Sequence, residues 1–418
     1  MKVLFVCLSH FPYAGACSSL IRKITGEPIF INNCEIHVLT IRKSIAEPET
    51  ERYGKIIIYR LWWWEVIPKS DIRQWLFKYP FTSLRGYLHK VVTKMYVRIS
   101  GNDFINKLTS RSIYRSLKHI HAEKFDAIIP VAGHYETVFA SLTYADRHHG
   151  NVIIYQVDPC SANKGYSIRS SELRRNYEKQ MYISASAIIT TPILLHEWMG
   201  KFSGDSSCKI IAMEFPNVNP YSTARNTLCK CPARKYNCVF AGAIYKAARN
   251  PSYTFKLFAA LAKNNIHLCM VGVERQSLSE FKEIETVPEN ITFHGIVPLE
   301  QAQKFIEEAD ILVNIGNVMT NQVPSKIFEY ISSGKPIVNI CVSHDCPTLP
   351  YLEKYPYVLN LFECDTDFED QVYQLKNFIT GNSGKCVSPE YINREYETCT
   401  AQYCAKQMLD IINQTIIQ

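Results

Sequence analysis

The sequence has no apolar run as long as the roughly 18 residues that a transmembrane helix needs. Residues 1–8 are largely apolar, but Ser9, His10 and Pro12 interrupt them before they reach the length of a secretion signal. Internal repeats and low-complexity segments are also missing. These absences argue against membrane-spanning, secreted and repeat proteins, and we expect a soluble, cytoplasmic chain.

Paired cysteine motifs are missing as well, although the chain has 15 cysteines in 418 residues. The one cluster, formed by Cys229, Cys231 and Cys238, has neither the CxxC spacing nor the second ligand pair of a typical zinc site. We interpret the cysteines as buried free thiols of a protein in a reducing compartment, and we expect no metal site.

The composition is that of a folded protein with a sizeable core. Hydrophobic residues make up 47% of the chain and charged residues 20%, and the formal net charge is +7. These values exclude disorder and coiled coil as descriptions of the whole chain. At roughly 150 residues per domain, the length predicts two or three domains.

Short β-branched runs alternate with helical stretches, which is typical of parallel α/β sheets. The predicted strands are 2–8, 35–40, 55–60, 127–131, 152–156, 187–190 and 209–212, then 237–241, 267–271, 291–294, 311–315 and 336–340. Pro216 and Pro220 break this rhythm in the middle of the chain. We therefore predict an N-terminal domain over 1–215, a second domain over 216–395 and a C-terminal helix over 396–418.

Residues 51–118 are much more basic than the rest of the chain. They contain fourteen Lys or Arg against four Asp or Glu, and Trp, Tyr and Phe are mixed in. Basic residues beside aromatic ones suit an anionic membrane interface. The alternative is a solvated helical face with the aromatic residues in the core. Nucleic acid is not expected as a partner, because no recognised reader module surrounds the segment.

Residues 321–338 are the segment most informative about chemistry. Here a loop ends in Pro324, Ser325 can cap a helix, and Gly334 ends that helix before a buried strand. A helix N-terminus at the carboxyl edge of a parallel sheet favours phosphate, and Lys326 in the first turn adds positive charge. Glu329 lies one turn further on, where a carboxylate can accept both hydroxyls of a ribose. The segment thus predicts a nucleotide site; an ordinary capped amphipathic helix would explain only its apolar residues.

This segment resembles the donor-binding signature of the GT-B glycosyltransferases, most closely the family 4 (group 1) retaining enzymes of bacterial polysaccharide assembly. The matching residues are Pro324, Ser325, Lys326, Glu329, Tyr330, Gly334, Lys335 and Pro336. Other parts of the second half, at 239–245, 249–251, 271–272, 293–298 and 309–313, resemble the same family in order and spacing. The resemblance implies two Rossmann-like parallel-sheet domains that face each other across a cleft, with the C-terminal helix returning to the N-terminal domain.

The resemblance also implies residue roles in the second half. Glu329 matches the residue that holds the nucleotide ribose, Ser325 and Lys326 lie where the family contacts the diphosphate, and Arg249 matches the residue that stabilises the departing phosphate. Asn321 stands where the family has the first acid of its E-x7-E pattern. The full predicted donor set is Gly15, Gly242, Asn321, Pro324, Ser325 and Glu329, with Arg249, Lys326 and His134 as catalytic residues.

Four predicted site residues of the first half follow predicted strands. His134 comes directly after strand 127–131 and resembles the family histidine that touches the transferred sugar. Gly15 permits a close backbone approach in the loop after the first strand, where the family contacts donor phosphate and acceptor. His10, in the same loop, and Asp158, after strand 152–156, are the predicted acceptor-binding residues; a turn or cap role is the alternative for Asp158.

The implied activity is a hexosyltransferase-type transfer from a nucleotide-diphosphate-sugar to a glycan or lipid-linked acceptor, with retention of configuration. No DxD-type acidic pair lies in a suitable loop, since the nearest, Asp365 and Asp367, follows the nucleotide helix. We therefore expect metal independence and no cofactor. Two alternatives stay open: a nucleotide-sugar 2-epimerase-like enzyme, and a non-catalytic nucleotide-sugar-binding scaffold.

If the acceptor is lipid-linked, we expect the basic segment 51–118 to hold the protein at the inner face of the cell membrane. The protein should then sediment with anionic liposomes, and salt should release it because the attraction is electrostatic. Absent or salt-insensitive sedimentation would instead support the solvated helical face.

Overall fold

The computed structural model describes most of the chain, in two compact units. The described residues are 1–8, 16–42, 47–62, 95, 105–160, 168–202, 209–219, 236–244, 249–281, 284 and 286–417. The first unit comprises residues 1–216 and 401–418, and the second comprises residues 217–400.

The first unit is built on parallel strands with one antiparallel edge strand. Its described strands are β1 (Lys2–Val6), β2 (Glu35–Arg42), β3 (Thr50–Tyr53), β4 (Ile56–Trp62), β5 (Ala127–Pro130), β6 (Ile153–Gln156), β7 (Ala187–Thr190) and β8 (Lys209–Ala212). They form a sheet in the order β3-β4-β2-β1-β5 and a sheet in the order β6-β7-β8. Isolated parallel bridges, Ile128–Val152 and Val131–Tyr155, join β5 to β6. Only β3 runs antiparallel to its neighbour among these described pairings.

Helices connect these strands. The described helices of this unit are α1 (Ala16–Gly26), α2 (Pro28–Asn33), α3 (Lys107–His119), α4 (Tyr135–His148), α5 (Ile168–Ser184), α6 (Pro192–Phe202) and α13 (Ala401–Ile417). Apolar side chains from the strands and from α3, α4, α5 and α6 form one buried cluster, which includes Leu4, Ile128 and Trp198. The core therefore lies where the helices cover the sheet.

The C-terminal helix α13 packs on the first unit, against α1 and α2. Its buried side chains include Cys404, Met408 and Ile412, which is the apolar face that the sequence spacing predicts. The Gln407 amide nitrogen donates to the Ala212 carbonyl at 2.8 Å, which ties the helix to the end of β8. Within the part of the chain that the structure describes, no helix has the length and apolarity needed to cross a membrane.

The second unit has an all-parallel described sheet. Its strands are β9 (Tyr236–Ala241), β10 (Ile266–Val271), β11 (Ile291–Gly295), β12 (Ile311–Ile315), β13 (Ile337–Cys341) and β14 (Val358–Phe362). Its described helices are α7 (Ser252–Ala260), α8 (Leu299–Glu308), α9 (Lys326–Ser333), α10 (Leu349–Leu352), α11 (Phe368–Asn382) and α12 (Pro389–Glu395). The strand order is β11-β10-β9-β12-β13-β14, so the order reverses between β9 and β12.

A ladder of three asparagines, two of them buried and one half-buried, fixes the register of three neighbouring strands. Asn314 of β12 lies opposite Asn339 of β13, which lies opposite Asn360 of β14. The Asn314 and Asn339 amide nitrogens each donate to the next asparagine's oxygen at 2.8 Å. A slip by one residue would move these amides to the other face and leave buried polar groups unpaired, so the ladder favours one register.

The fold class predicted from the sequence is confirmed: both units are α/β with parallel sheets, and the last helix belongs to the first unit. Every predicted strand is present, with ends that differ by a few residues. Among the strands that the structure describes, two were missed. The polar β3 (Thr50–Tyr53) forms a hairpin with β4 at the sheet edge, and β14 (Val358–Phe362) closes the other sheet.

Gly334 ends α9 in a conformation that other residues rarely adopt, with φ at +72°. A Cβ atom built there would lie 2.5 Å from the Val387 carbonyl oxygen and 2.8 Å from Cys386 Sγ. We expect Gly334→Ala to lower the free energy of unfolding by about 2–4 kcal/mol, because the backbone must shift to remove the clash.

The matched control is Gly381→Ala in α11, where a Cβ meets nothing within 4 Å. This variant should be neutral or gain up to about 1 kcal/mol from helix propensity. Urea denaturation of both variants measures the effect, and equal stabilities would contradict this account of Gly334.

Candidate functional site

The carboxyl ends of β9 and β12 lie side by side at the point where the strand order of the second sheet reverses. Residue pairs Cys238–Ile311 and Val239–Leu312 set this parallel pairing. The chain continues from β9 to β10 on one side and from β12 to β13 on the other, so the connections diverge. In open α/β sheets, ligands bind in the crevice outside such a reversal point. The residues after Ala241 and Ile315 are therefore the centre of the candidate site.

Gly242 follows β9 and leaves room for an arginine. A Cβ atom at this position would lie 3.4 Å from the Arg249 guanidinium and 3.3 Å from the Phe240 ring. Gly272, after β10, has φ at +87°, and a Cβ there would lie 2.9 Å from the Gly242 carbonyl oxygen. Two glycines thus allow the ends of β9 and β10 and the arginine to pack closely.

Arg249 connects the loops that follow β9 and β12. Its Nε donates to Asn317 Oδ1 at 2.9 Å, and its Nη1 donates to the Ala243 carbonyl at 3.2 Å. Arg249 itself is half-buried, whereas Asn317 is only 7% exposed. Sequence reasoning selected Arg249 but missed Asn317. The feature that could have identified Asn317 is its position, because it is the second residue after a buried strand, where side chains reach the carboxyl edge of the sheet.

The predicted nucleotide helix is α9, which begins at Lys326 and ends before Gly334. Ser325 occupies the N-cap position, but its side chain makes no capping hydrogen bond. The first turn is instead closed by backbone bonds, in which Ile327 N donates to the Pro324 carbonyl at 3.1 Å and Phe328 N to the Ser325 carbonyl at 3.3 Å. The helix therefore starts without using the serine hydroxyl.

Lys326 and Glu329 pair with each other in the first turn of α9. The Lys326 Nζ lies 2.5 Å from Glu329 Oε2, and the two side chains are 27% and 40% exposed. An exposed pair of this kind contributes about 0.2–1 kcal/mol, far below the roughly 8 kcal/mol of micromolar ligand binding. The pair therefore places one positive and one negative group at the helix start without preventing either from binding a ligand.

Tyr330 attaches α9 to the end of β9. The Ala241 backbone N–H donates to the Tyr330 hydroxyl oxygen at 2.8 Å, and the hydroxyl in turn faces the Ala241 carbonyl at 3.4 Å. Tyr330 is 1% exposed, and burial raises the pKa of its phenol well above the usual value. Ile327, Phe328 and Ile331 are buried on the same helix, as its apolar spacing predicts. The helix is thus fixed relative to the strand that leads to Arg249.

Pro324 and Asn321 lie in the segment between Asn317 and α9. Asn321 is half-buried in a turn, and Pro324 is buried directly before the helix. The Asn317 Nδ2 donates to the Gln322 carbonyl at 2.9 Å, which holds this segment against the loop after β12. The structure therefore brings Gly242, Arg249 and the residues around Asn321 and Pro324 to one sheet edge.

In the first unit, His134 and Asp158 both follow strands at the carboxyl edge. His134 is exposed at the N-cap position of α4, where its carbonyl accepts the Thr137 hydroxyl at 2.7 Å. Asp158 follows β6 and is half-buried, and its carbonyl lies 3.5 Å from the Tyr135 hydroxyl. Burial raises the pKa of Tyr135 well above its usual value, so this phenol is a neutral link between the two loops.

Other predicted residues are not described by the structure. His10 and Gly15 lie outside the described residues, as do Cys229 and Cys231. Of the basic segment 51–118, residues 63–94 and 96–104 also lie outside them.

Within the described residues, one group has the composition of a metal site: His344, Cys364 and Asp365. Its three ligand atoms lie within 4.8 Å of one another, and all three residues are exposed. They follow β13 and β14 rather than the β9–β12 reversal point. Exposed groups of this kind are common without an ion, and we assign this one no metal.

Comparison with known proteins supports this description of the fold. Residues 235–350 match the family model for group 1 glycosyl transferases. That range contains Gly242, Arg249, Asn317 and the whole of α9. No curated protein matches the chain in sequence.

Solved structures similar to this chain are GT-B glycosyltransferases. Sucrose-phosphate synthase from Thermosynechococcus elongatus has a TM-score of 0.61 at 14% identity, over 100% of this chain and 99% of its own. Anabaena HepE in complex with UDP and glucose has a TM-score of 0.59 at 10% identity, over 99% and 100%. The lipopolysaccharide outer core galactosyltransferase WaaB in its apo form has a TM-score of 0.57 at 12% identity, over 99% and 99%.

At these identities the structural likeness shows the fold, which is the two-unit GT-B architecture over the full chain. The family match covers the edge of the second sheet where the candidate site lies. The chain therefore has the GT-B fold, and residues 235–350 of its second unit match the family model for group 1 glycosyl transferases.

Proposed function

We propose that the protein transfers a sugar from a nucleotide-diphosphate-sugar to a glycan or lipid-linked acceptor in cell-surface polysaccharide synthesis. The observation that carries the donor assignment is the joint position of Arg249 and α9 at the carboxyl edge of one sheet. There Arg249, Lys326 and the positive end of the α9 helix dipole supply positive charge, and Glu329 supplies a carboxylate for the ribose hydroxyls. HepE, which was solved with UDP and glucose, makes UDP-sugars the first donors to test.

The chemical task of these groups is to stabilise charge on the leaving diphosphate. When the sugar–oxygen bond breaks, negative charge grows on the departing phosphate, and fixed donors aimed at it lower the barrier without reorganising. Arg249 is suited to this role, because contacts with Asn317 and Ala243 already hold its guanidinium. Retention of configuration is the outcome that the family resemblance implies.

Charge stabilisation by side chains and helix amides also supports metal independence. The nearest acidic pair, Asp365 and Asp367, is engaged in other contacts. Asp365 Oδ1 lies 3.0 Å from the His344 ring nitrogen, and Asp367 Oδ1 accepts the Asp370 backbone N–H at 2.9 Å as the N-cap of α11. We propose that transfer needs no divalent cation.

For the acceptor side, we propose the carboxyl edge of the first sheet, with His134 and Asp158 as contacts and His10 in the neighbouring loop. A polysaccharide role is supported by the family resemblance and by the fold shared with WaaB. We further propose a cytoplasmic location, at the inner membrane face when the acceptor is lipid-linked, supported by the charge of residues 51–118.

The decisive experiment incubates the protein with a panel of UDP-, ADP- and GDP-sugars and mixed glycan and lipid-linked acceptors, with and without EDTA. We expect acceptor-dependent release of one nucleoside diphosphate, and unchanged release when EDTA removes divalent cations. Inhibition by EDTA that Mg²⁺ or Mn²⁺ reverses would overturn metal independence. Conversion of the donor sugar without acceptor would favour the epimerase-like alternative, and donor binding without turnover would favour the scaffold.

Glu329→Ala tests the donor site directly. Removing the carboxylate deletes two charge-assisted hydrogen bonds to the ribose, so UDP, ADP or GDP should bind about 100-fold more weakly by calorimetry. The corresponding monophosphate should lose a similar factor, because it carries the same ribose.

Glu300→Ala is the matched control, since Glu300 is also an acid in the first turn of a helix, α8, and its side chain is exposed. It should bind nucleotide as the wild type does. An unchanged affinity in Glu329→Ala would remove Glu329 from the donor site.

A further inference from the structure

Both polar atoms of the Asn317 side-chain amide make hydrogen bonds. The Oδ1 atom accepts the Arg249 Nε–H at 2.9 Å, and the Nδ2 atom donates to the Gln322 carbonyl at 2.9 Å. The orientation of the amide follows from these partners, because the guanidinium only donates and the carbonyl only accepts. Asn317 is therefore a buried link between the arginine and the segment that leads to α9.

The backbone that carries Asn317 is itself fixed. The preceding residue, Gly316, donates its N–H to the Ile340 carbonyl at 2.8 Å, which extends the β12–β13 pairing beyond the strand end. A Cβ atom at Gly316 would lie 3.0 Å from that same oxygen, so the backbone approaches β13 closely. Asn317 thus presents its amide to Arg249 from a rigid position.

The chemical type of this side chain matters as much as its position. A carboxylate in the same place would hold the arginine more tightly, but it would also neutralise the guanidinium and repel a diphosphate. An amide oxygen orients the Nε–H group and leaves the net charge of the arginine unchanged. A neutral acceptor is therefore the partner expected for an arginine whose positive charge has to act on a ligand.

We infer that Asn317 is a positioning residue, which holds the Arg249 guanidinium in place for the donor diphosphate without neutralising it. This inference rests on the proposed function, because it needs a nucleoside diphosphate at the β9–β12 edge. It assigns to Asn317, which is not among the residues that carry the donor-binding resemblance, an effect that acts through Arg249 rather than by contact with substrate.

The test uses calorimetry to measure the binding of three nucleoside diphosphates (UDP, ADP and GDP) and of the matching monophosphates (UMP, AMP and GMP). The full-length proteins compared are the wild type, Arg249→Ala, Asn317→Ala and the double variant. The ratio of monophosphate to diphosphate dissociation constants reports the contribution of the second phosphate. Each single variant should lower this ratio about tenfold, the effect of losing or misplacing one charge-assisted contact. The double variant should differ from Arg249→Ala by less than about twofold, because Asn317 has no further effect once its arginine is gone.

Asn317→Asp tests whether the partner of Arg249 has to be neutral. It has nearly the same shape and keeps the oxygen that faces Arg249, but it adds a negative charge beside the phosphates and loses the donor to the Gln322 carbonyl. We expect this variant to lower the same ratio by at least as much as Asn317→Ala. A ratio equal to that of the wild type would overturn the requirement for a neutral partner.

Asn290→Ala is the control for a purely structural asparagine. Asn290 is 3% exposed and its Nδ2 donates to the Phe258 and Ile266 carbonyls at 2.7 and 2.9 Å. It directly precedes β11, which β10 and β9 separate from β12 in the sheet. It should lower the melting temperature without changing the monophosphate-to-diphosphate ratio. If Asn317→Ala behaves in this way, or if the effects of Asn317→Ala and Arg249→Ala multiply in the double variant, the positioning role is wrong.

The failure of the proposed function is distinguishable from these outcomes. If wild-type protein binds none of the six nucleotides, the donor site itself is refuted and the inference falls with it. If the wild type binds a diphosphate and only the Asn317 variants behave as structural variants, the donor site stands and the positioning role alone is refuted.

Discussion

The candidate site depends on the parallel pairing of β9 with β12, because this pairing brings two loops from distant parts of the sequence to one point. The register is set by only two residue pairs, Cys238–Ile311 and Val239–Leu312. Beyond them the connections diverge, and a crevice opens at the sheet edge. The Tyr330 hydroxyl bonds the end of β9 to α9. One strand pairing and one buried phenol therefore position the groups that would contact the donor.

The neutral and the charged groups of the candidate site differ in how deeply they are buried. Tyr330 and Asn317 are almost fully buried and neutral, and each has its polar atoms engaged by named partners. Lys326 and Glu329 are charged and remain partly exposed. This division follows from solvation, since a buried neutral group needs only hydrogen-bond partners, whereas a buried unpaired charge is far more costly. The neutral residues fix the framework, and the charged ones stay where a ligand can reach them.

The sequence allowed most of the strands to be predicted, because buried parallel strands appear as short runs of Val, Ile and Leu. It did not allow the strands at the sheet edges to be predicted. The strand β3, Thr50–Tyr53, is polar and gains its partner only from the hairpin with β4. The helix start also differed from expectation, because backbone hydrogen bonds close the first turn of α9 and the Ser325 side chain does not. In both cases pairing partners decided the outcome, and these partners are not encoded in local composition.

By itself the sequence determined the α/β class, the helix that begins at Lys326 and the residue types able to bind a nucleotide, because these follow from local patterns of apolar, charged and glycine residues. Only the tertiary structure decided which residues meet. Arg249 and Asn317 are separated by 68 positions in the chain, and they touch because β9 and β12 are neighbours in the sheet. The strand order of a sheet is a non-local property, so no window of sequence contains the contact that orients the arginine.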